Sequence, residues 1–328
     1  MTVKFGIIGT NFISDEFCGA LAQIPGAEPC AVYSRRQETG AAFASRHKIP
    51  QVYTDYEDFL NSGPDAVYVA SPNAVHCRQT LQALRRKIHV LCEKIMAVNS
   101  QEADAMIHCA LENKVILLEA MRPDFDPAYD LITAALPRIG KVRRACFEYC
   151  QYSSRYDSFR EGVIQNAFNP LLGNAAVMDI GVYCIHSLIR LFGMPRGIRC
   201  LSTKLENGFE GSGTVLMEYD GMAAEAVYSK ITASVNPSVI QGEDGTITLD
   251  SVSRPRHVQL HLREGAHRTP HSAAEELPLH PAQNNMIYEI MEFLRLIDQK
   301  QTDHKYLQYS LDTLRVIDEV RRQSEILF

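Results

Sequence analysis

Short apolar runs at residues 4–8, 30–33, 66–69, 89–93 and 115–119 alternate with helix-patterned stretches at 15–23, 37–46, 55–60, 75–85 and 100–113. Runs that stay apolar along their length, without polar alternation, are the mark of parallel strands buried on both faces. The rhythm amounts to six strands with intervening helices, 115–119 being the last, and predicts an α/β, doubly wound dinucleotide-binding domain over 1–122. After Pro123 the rhythm changes. A helix at 127–136, a strand at 142–152 and a polar, aromatic loop at 153–170 lead to a helix at 175–192, which Gly193 and Pro195 stop. Strands at 215–219, 222–230, 239–242, 246–249 and 258–262 follow, the first two joined by an Asp220-Gly221 turn. This predicts a second, α+β domain over 123–283 with a large open, mainly antiparallel sheet. Two amphipathic helices, 284–299 and 306–323, form the tail of the chain.

Composition narrows the function. The 328 residues are 46% hydrophobic and 22% charged, an ordinary globular balance. A net charge of −6 without a basic block argues against a nucleic-acid partner. No apolar run approaches the roughly 18 residues of a membrane helix, and the first apolar run is too short for a signal peptide. Nine cysteines, an odd number without a C-x-x-C, read as free thiols in a reducing, cytoplasmic compartment. The histidines form a loose group from His257 to His280 but show no metal-ligand spacing, so no metal site is expected.

Candidate site residues sit at the strand ends. Gly9-Thr10-Asn11-Phe12-Ile13-Ser14 joins the first strand to the first helix, the context of a phosphate-binding turn. Its pattern is G-x-N-x-x-S where G-x-G-x-x-G is usual; Asn11 is expected to keep the turn by adopting the left-handed region, bringing its side chain nearer the phosphates. The second strand ends in Ser34-Arg35-Arg36, with no acid to hold a ribose 2′-hydroxyl. Either these residues hold a 2′-phosphate, which favours NADP over NAD, or the arginines are solvated charges. Ser71-Pro72-Asn73 and His76 follow another strand end, suited to binding the cofactor along its nicotinamide–ribose side, with His76 reading as structural and not catalytic. Glu93-Lys94 closes the fifth run, where Lys94 can donate to a substrate oxygen or simply pair with Glu93. Asp179 and Tyr183, four apart, share a helix face that His186, Ser187 and Arg190 continue. Asp179 is expected to hold Lys94 or a substrate hydroxyl. Gly181 between them costs the helix about 1 kcal/mol and points to close approach of something, such as a nicotinamide. Tyr152, Arg155, Tyr156, Phe159 and Arg160 are either pocket residues for a polyhydroxylated or phosphorylated compound or a solvated loop.

Taken together, Gly6 to Thr10 with Phe12-Ile13, Ser71-Pro72-Asn73 with His76, Glu93-Lys94, Glu119-Ala120, Asp179 to Tyr183, Gly242 to Ile247 and Ser310 to Arg322 fall in an order that resembles the Gfo/Idh/MocA oxidoreductases, nearly end to end. The D-I-G-V-Y form is similar to the dihydrodiol dehydrogenase-like branch. The resemblance implies a Rossmann first domain, hydride transfer between a nicotinamide and a CH–OH or carbonyl group of a sugar, polyol or diol, and Lys94 with Tyr183 as the proton-handling pair. It also implies a homodimer or homotetramer through the second-domain sheet and tail helices, about 284–328, packing back onto the first domain. Two departures are visible. The family's E-K-P is Glu93-Lys94-Ile95, and a cis bond before Ile is costly, so Lys94 is expected to be aimed differently. Asn11 replaces the middle glycine. Both support an alternative, a cofactor- or sugar-binding module that kept the fold without turnover.

Overall fold

The structure is a computed structural model that describes residues 2–263 and 274–327. The described chain separates into two compact units, Met1–Arg122 with Ala282–Leu311 and Pro123–Pro281 with Asp312–Phe328.

In the first unit the strands are β1 (Val3–Ile8), β2 (Ala27–Tyr33), β3 (Gln51–Tyr53), β4 (Ala66–Val69), β5 (His89–Glu93) and β6 (Leu117–Ala120). They pair in the order β3-β2-β1-β4-β5-β6, all parallel. The helices between them are α1 (Phe12–Leu21), α2 (Gln37–His47), α3 (Tyr56–Asn61), α4 (Asn73–Arg85) and α5 (Ser100–Asn113). The sequence reading left the third strand unplaced, because three residues carry too little periodicity. The order reverses between β1 and β4, so the carboxyl ends of those two strands open the crevice in which such sheets bind ligands. Behind it, Phe17 stacks on Tyr68 with centroids 3.7 Å apart, and Phe5 packs between Phe17 and Phe293.

The second unit holds α6 (Pro127–Ala135), β7 (Val142–Cys150), α7 (Tyr156–Arg160), α8 (Val182–Phe192) and strands β8 (Gly197–Lys204), β9 (Glu210–Tyr219), β10 (Met222–Ser229), β11 (Ser238–Gly242), β12 (Gly245–Leu249), β13 (Val258–Leu262) and β14 (Glu275–Glu276). Its eight-stranded sheet runs β14-β13-β12-β11-β7-β10-β9-β8 and is antiparallel except for the β7–β10 pair. Helix α8 packs on β7 and β10. The stretch Pro170–Phe192 is long and apolar enough to cross a membrane, which corrects the count made from sequence; 78% of its most apolar window is buried, as in a core helix. The expected loop at 153–170 is also corrected. It contains α7, and Phe159 and Phe168 build a small buried core with Phe209 and the partly buried Tyr156. Phe159 is therefore core, not pocket lining.

The tail helices are α9 (Met286–Asp298) and α10 (Lys305–Gln323). Of the tail, Ala282–Leu311 groups with the first unit. Phe293 of α9 meets Phe5, and His304 meets the Leu117 carbonyl at 3.1 Å. Farther on, Thr313 meets His186 at 3.0 Å and Gln323 bonds the Cys200 and Ile198 backbone, so the end of α10 groups with the second unit. All nine cysteines are free thiols. Among the described residues no group of three His, Cys, Asp or Glu side chains could hold a metal; His267 and His271 of the expected histidine group lie outside those residues.

The expected helix at 175–192 is not uniform. Residues Val177–Gly181 form a π-helical turn before α8 begins. A Cβ at Gly181 would stand 2.7–3.0 Å from three atoms of the Tyr228 ring. The close approach inferred from Gly181 is thus by Tyr228 and not by a nicotinamide. Replacing a helical Gly with Ala ordinarily stabilises by about 1 kcal/mol. Here Gly181→Ala should destabilise by about 1–3 kcal/mol through overpacking, read as a lower urea midpoint at unchanged m-value; a raised midpoint would refute the contact.

Candidate active site

Candidate residues occur in each unit. In the first, Gly9 has φ +105° and an added Cβ would lie 2.6 Å from the Ala70 carbonyl oxygen, so only glycine fits where the β1 and β4 ends converge. Its N–H donates to the Tyr33 carbonyl at 3.2 Å. Asn11 is not left-handed, which corrects the expectation. It is the extended N-cap of α1 (φ −89°), its Oδ1 accepting from the Ser14 N–H at 3.2 Å and its Nδ2 donating to the Ala70 carbonyl at 2.9 Å. The side chain is thus engaged inside the turn and braces it against β4. Thr10, Phe12 and Ile13 complete the turn, and the α1 amino end supplies unpaired N–H groups and a positive dipole end. A backbone cradle that a Cβ would fill, at a helix amino end, fits the pyrophosphate of a dinucleotide.

Ser34 follows β2, beside Gly9. Its hydroxyl lies 2.7 Å from the Thr39 hydroxyl and accepts from the Arg36 N–H at 3.4 Å, while Arg35 and Arg36 are exposed. Ser71, Pro72 and Asn73 lead into α4, with the Ser71 hydroxyl donating to Gln79 Oε1 at 2.5 Å. His76 is buried; its ring nitrogens lie 2.9 Å from the Ile95 carbonyl and 2.7 Å from the Ser71 carbonyl. Burial pushes its pKa down, against the two carbonyl contacts. His76 therefore fastens the Ser71 turn to the Lys94 turn, as a structural residue.

Lys94 stands at the end of β5, half-buried. The Lys94–Ile95 bond is cis. The turn is held by buried groups. Glu93 accepts from the Tyr68 hydroxyl and, through Oε2, from the Lys94 N–H at 3.1 Å. Glu119 Oε1, on neighbouring β6, accepts from the Met96 N–H at 2.8 Å. Burial pushes the Glu93 carboxyl up, against the Tyr68 hydrogen bond and the Arg122 and Lys94 charges, and burial likewise drives the Tyr68 hydroxyl far above its ordinary range.

In the second unit Asp179 lies in the π turn and Tyr183 at the second position of α8, its ring 5.8 Å from that of Tyr149. The Asp179 carboxylate meets Lys230 at 2.7 Å. Glu210, at the start of β9, accepts from the Val177 N–H and the Tyr228 hydroxyl, each at 2.8 Å, so it caps the π turn. Burial pushes its carboxyl up to about 7, against those hydrogen bonds. Sequence reasoning missed Lys230 and Glu210; an isolated Lys after an apolar strand and an isolated Glu before one carry no periodic signal. His186, Ser187 and Arg190 do not extend the site. His186 meets Asp124 at 2.9 Å, Ser187 meets the Tyr129 hydroxyl at 2.6 Å, and Arg190 reaches Asp130 at 2.9 Å, a network inside the unit.

Residues 3–121 match the family described as "Oxidoreductase family, NAD-binding Rossmann fold", and 136–248 match the GFO/IDH/MocA C-terminal domain. The chain is 40% identical to scyllo-inositol 2-dehydrogenase (NADP(+)) IolU of Bacillus subtilis, over 99% of this chain and 98% of that one. It is 30% identical to trans-1,2-dihydrobenzene-1,2-diol dehydrogenase of Xenopus laevis, over 83% of each. Its fold is that of KijD10, a 3-ketoreductase from Actinomadura kijaniata, with a TM-score of 0.85 at 22% identity, over 99% of this chain and 98% of that one. By its motifs, its two sheets and these full-length similarities, the chain belongs to the Gfo/Idh/MocA family of oxidoreductases, with an NAD(P)-binding Rossmann domain at its amino end.

Proposed function

We propose that the protein is an NADP-dependent dehydrogenase or reductase acting on a CH–OH or carbonyl carbon of a sugar, polyol or diol-type small molecule. The observation that carries this reading is the clamp around Lys94. Buried Glu93, Glu119 and His76 direct polar atoms to the backbone of residues 94–96 while the Lys94 side chain keeps partial exposure. So many buried polar groups on one turn serve the aim of its side chain. The full-length similarity to a scyllo-inositol dehydrogenase supports a polyhydroxylated substrate.

The cofactor, when bound, supplies the hydride donor or acceptor. Gly9 to Ile13 hold its pyrophosphate, Ser34 to Arg36 its 2′-phosphate, and Ser71 to Asn73 line the nicotinamide side. Tyr183, as its phenolate, takes the proton of the substrate hydroxyl in oxidation and, as its hydroxyl, returns it in reduction. The Lys94 ammonium favours the phenolate form that this requires, and Asp179 orients the substrate by accepting from a hydroxyl. Leu201 and Leu216, 83% and 51% exposed on the second-unit sheet, support a homodimer through that sheet. Sedimentation of protein from the soluble fraction should give twice the chain mass, and a monomer at micromolar concentration excludes it.

Lys94→Ala and Tyr183→Phe should each lower kcat by about a hundredfold or more in NADPH-linked assays over a polyol and sugar panel, with NADPH binding by Tyr183→Phe unchanged. Variants that turn over like the wild type remove the assignment. The cofactor reading has its own check. Charge-assisted hydrogen bonds from Arg35 and Ser34 to a 2′-phosphate are worth about 1.5–3 kcal/mol each, so NADP should be preferred over NAD by about tenfold to a hundredfold. Arg35→Ala should erase most of that preference and leave NAD binding nearly unchanged. Fluorescence titration reads both, and a wild type that favours NAD rejects the role given to Ser34-Arg35-Arg36.

A further inference from the structure

Lys230 is among the most buried charged side chains of the described chain, its side chain 5% exposed just beyond the end of β10. A buried ammonium needs both a counter-charge and hydrogen-bond acceptors. Lys230 Nζ finds Asp179 Oδ2 at 2.7 Å and the Ala167 carbonyl at 2.9 Å. It also stands 5.0 Å and 5.3 Å from the ring centroids of Phe168 and Phe209, an aromatic wall that favours a cation. The cage leaves the ammonium little freedom. Its partner differs: the Asp179 side chain keeps 39% exposure.

The surroundings show what the pair supports. Tyr228 and Lys230 are two residues apart along the same strand direction and so face the same side. Tyr228 packs on Gly181, Lys230 holds Asp179, and the Tyr228 hydroxyl meets Glu210, which caps Val177. Glu210 and Tyr228 of the sheet, with Lys230 just past β10, thus grip the π turn at positions 177, 179 and 181, shortly before Tyr183. A purely structural ion pair in an apolar cage can be replaced by apolar packing without loss. One whose carboxylate end opens to solvent fixes where that carboxylate points.

We propose that Lys230 is a positioning residue for the reaction, holding the Asp179 carboxylate ionised and in one orientation so that Asp179 can align the substrate hydroxyl for Tyr183. The proposal rests on the roles given above to Asp179 and Tyr183. It assigns to Lys230 no contact with the reacting atoms.

The test is a double-mutant cycle with Asp179→Asn on the full-length protein, measured as kcat and KM with NADPH-linked turnover beside a thermal melt and an NADPH titration. Lys230→Met, which keeps the stem and loses the charge, should lower kcat/KM by about tenfold to a hundredfold with NADPH affinity unchanged. It should add nothing further in the Asp179→Asn background, and Lys230→Arg should recover most of the loss. If Lys230→Met does not fold, Lys230→Gln takes its place with the same expected and overturning results. An impaired Asp179→Asn beside an unimpaired Lys230→Met, or losses that multiply in the double variant, overturn the role of Lys230 alone. An Asp179→Asn enzyme that turns over like the wild type overturns the role of Asp179, and that of Lys230 with it.

Discussion

Glu93 and Glu119 lie at or next to the ends of neighbouring parallel strands inside the protein, so each carboxylate has to be satisfied by protein groups. The Met96 N–H answers Glu119; the Lys94 N–H and the Tyr68 hydroxyl answer Glu93. The path of the chain from 94 to 96 follows from those bonds, and His76 closes the same turn from the α4 side. An unpaired buried carboxylate would cost several kcal/mol. The turn is therefore as well determined as the strands beneath it, although it is irregular.

The second unit uses the same requirement on a helix. An α-helix amino end leaves N–H groups without partners, and at Val177 the partner is the Glu210 carboxylate, itself held by Tyr228. Gly181 lets the Tyr228 ring come against the helix backbone, and Lys230 draws Asp179 to the same strand. A regular α-helix would present 177, 179 and 181 at fixed angular steps. The π turn relaxes those steps, and such turns recur at functional sites.

The crevice of the first unit has a simpler origin. With β1 and β4 adjacent and their connections leaving in opposite directions, the loops after them diverge. Gly9 is the point of closest approach, and Asn11 shows that an N-capping side chain can brace such a turn by bonding across to Ala70. Loss of the middle glycine of the G-x-G-x-x-G pattern thus leaves a well-built turn.

Much was legible in the chain itself. Five of the six parallel strands, the change of rhythm after Pro123, the helix over 175–192 and the tail helices follow from periodicity and from glycine and proline punctuation, which are local properties. The same locality pointed to Gly9, Lys94, Asp179 and Tyr183, because strand ends and helix spacing can be counted along a sequence. Pairing across sequence distance could not be counted. That Asp179 meets Lys230, that Gly181 makes room for Tyr228, that Phe159 and Phe168 fold inward with Phe209, and that α10 divides at Leu311 are decided by which surfaces come together. The sequence by itself determined the elements and the residues at their ends. Tertiary structure alone decided the partners, because burial and hydrogen-bond satisfaction are properties of contacts between residues far apart in the chain.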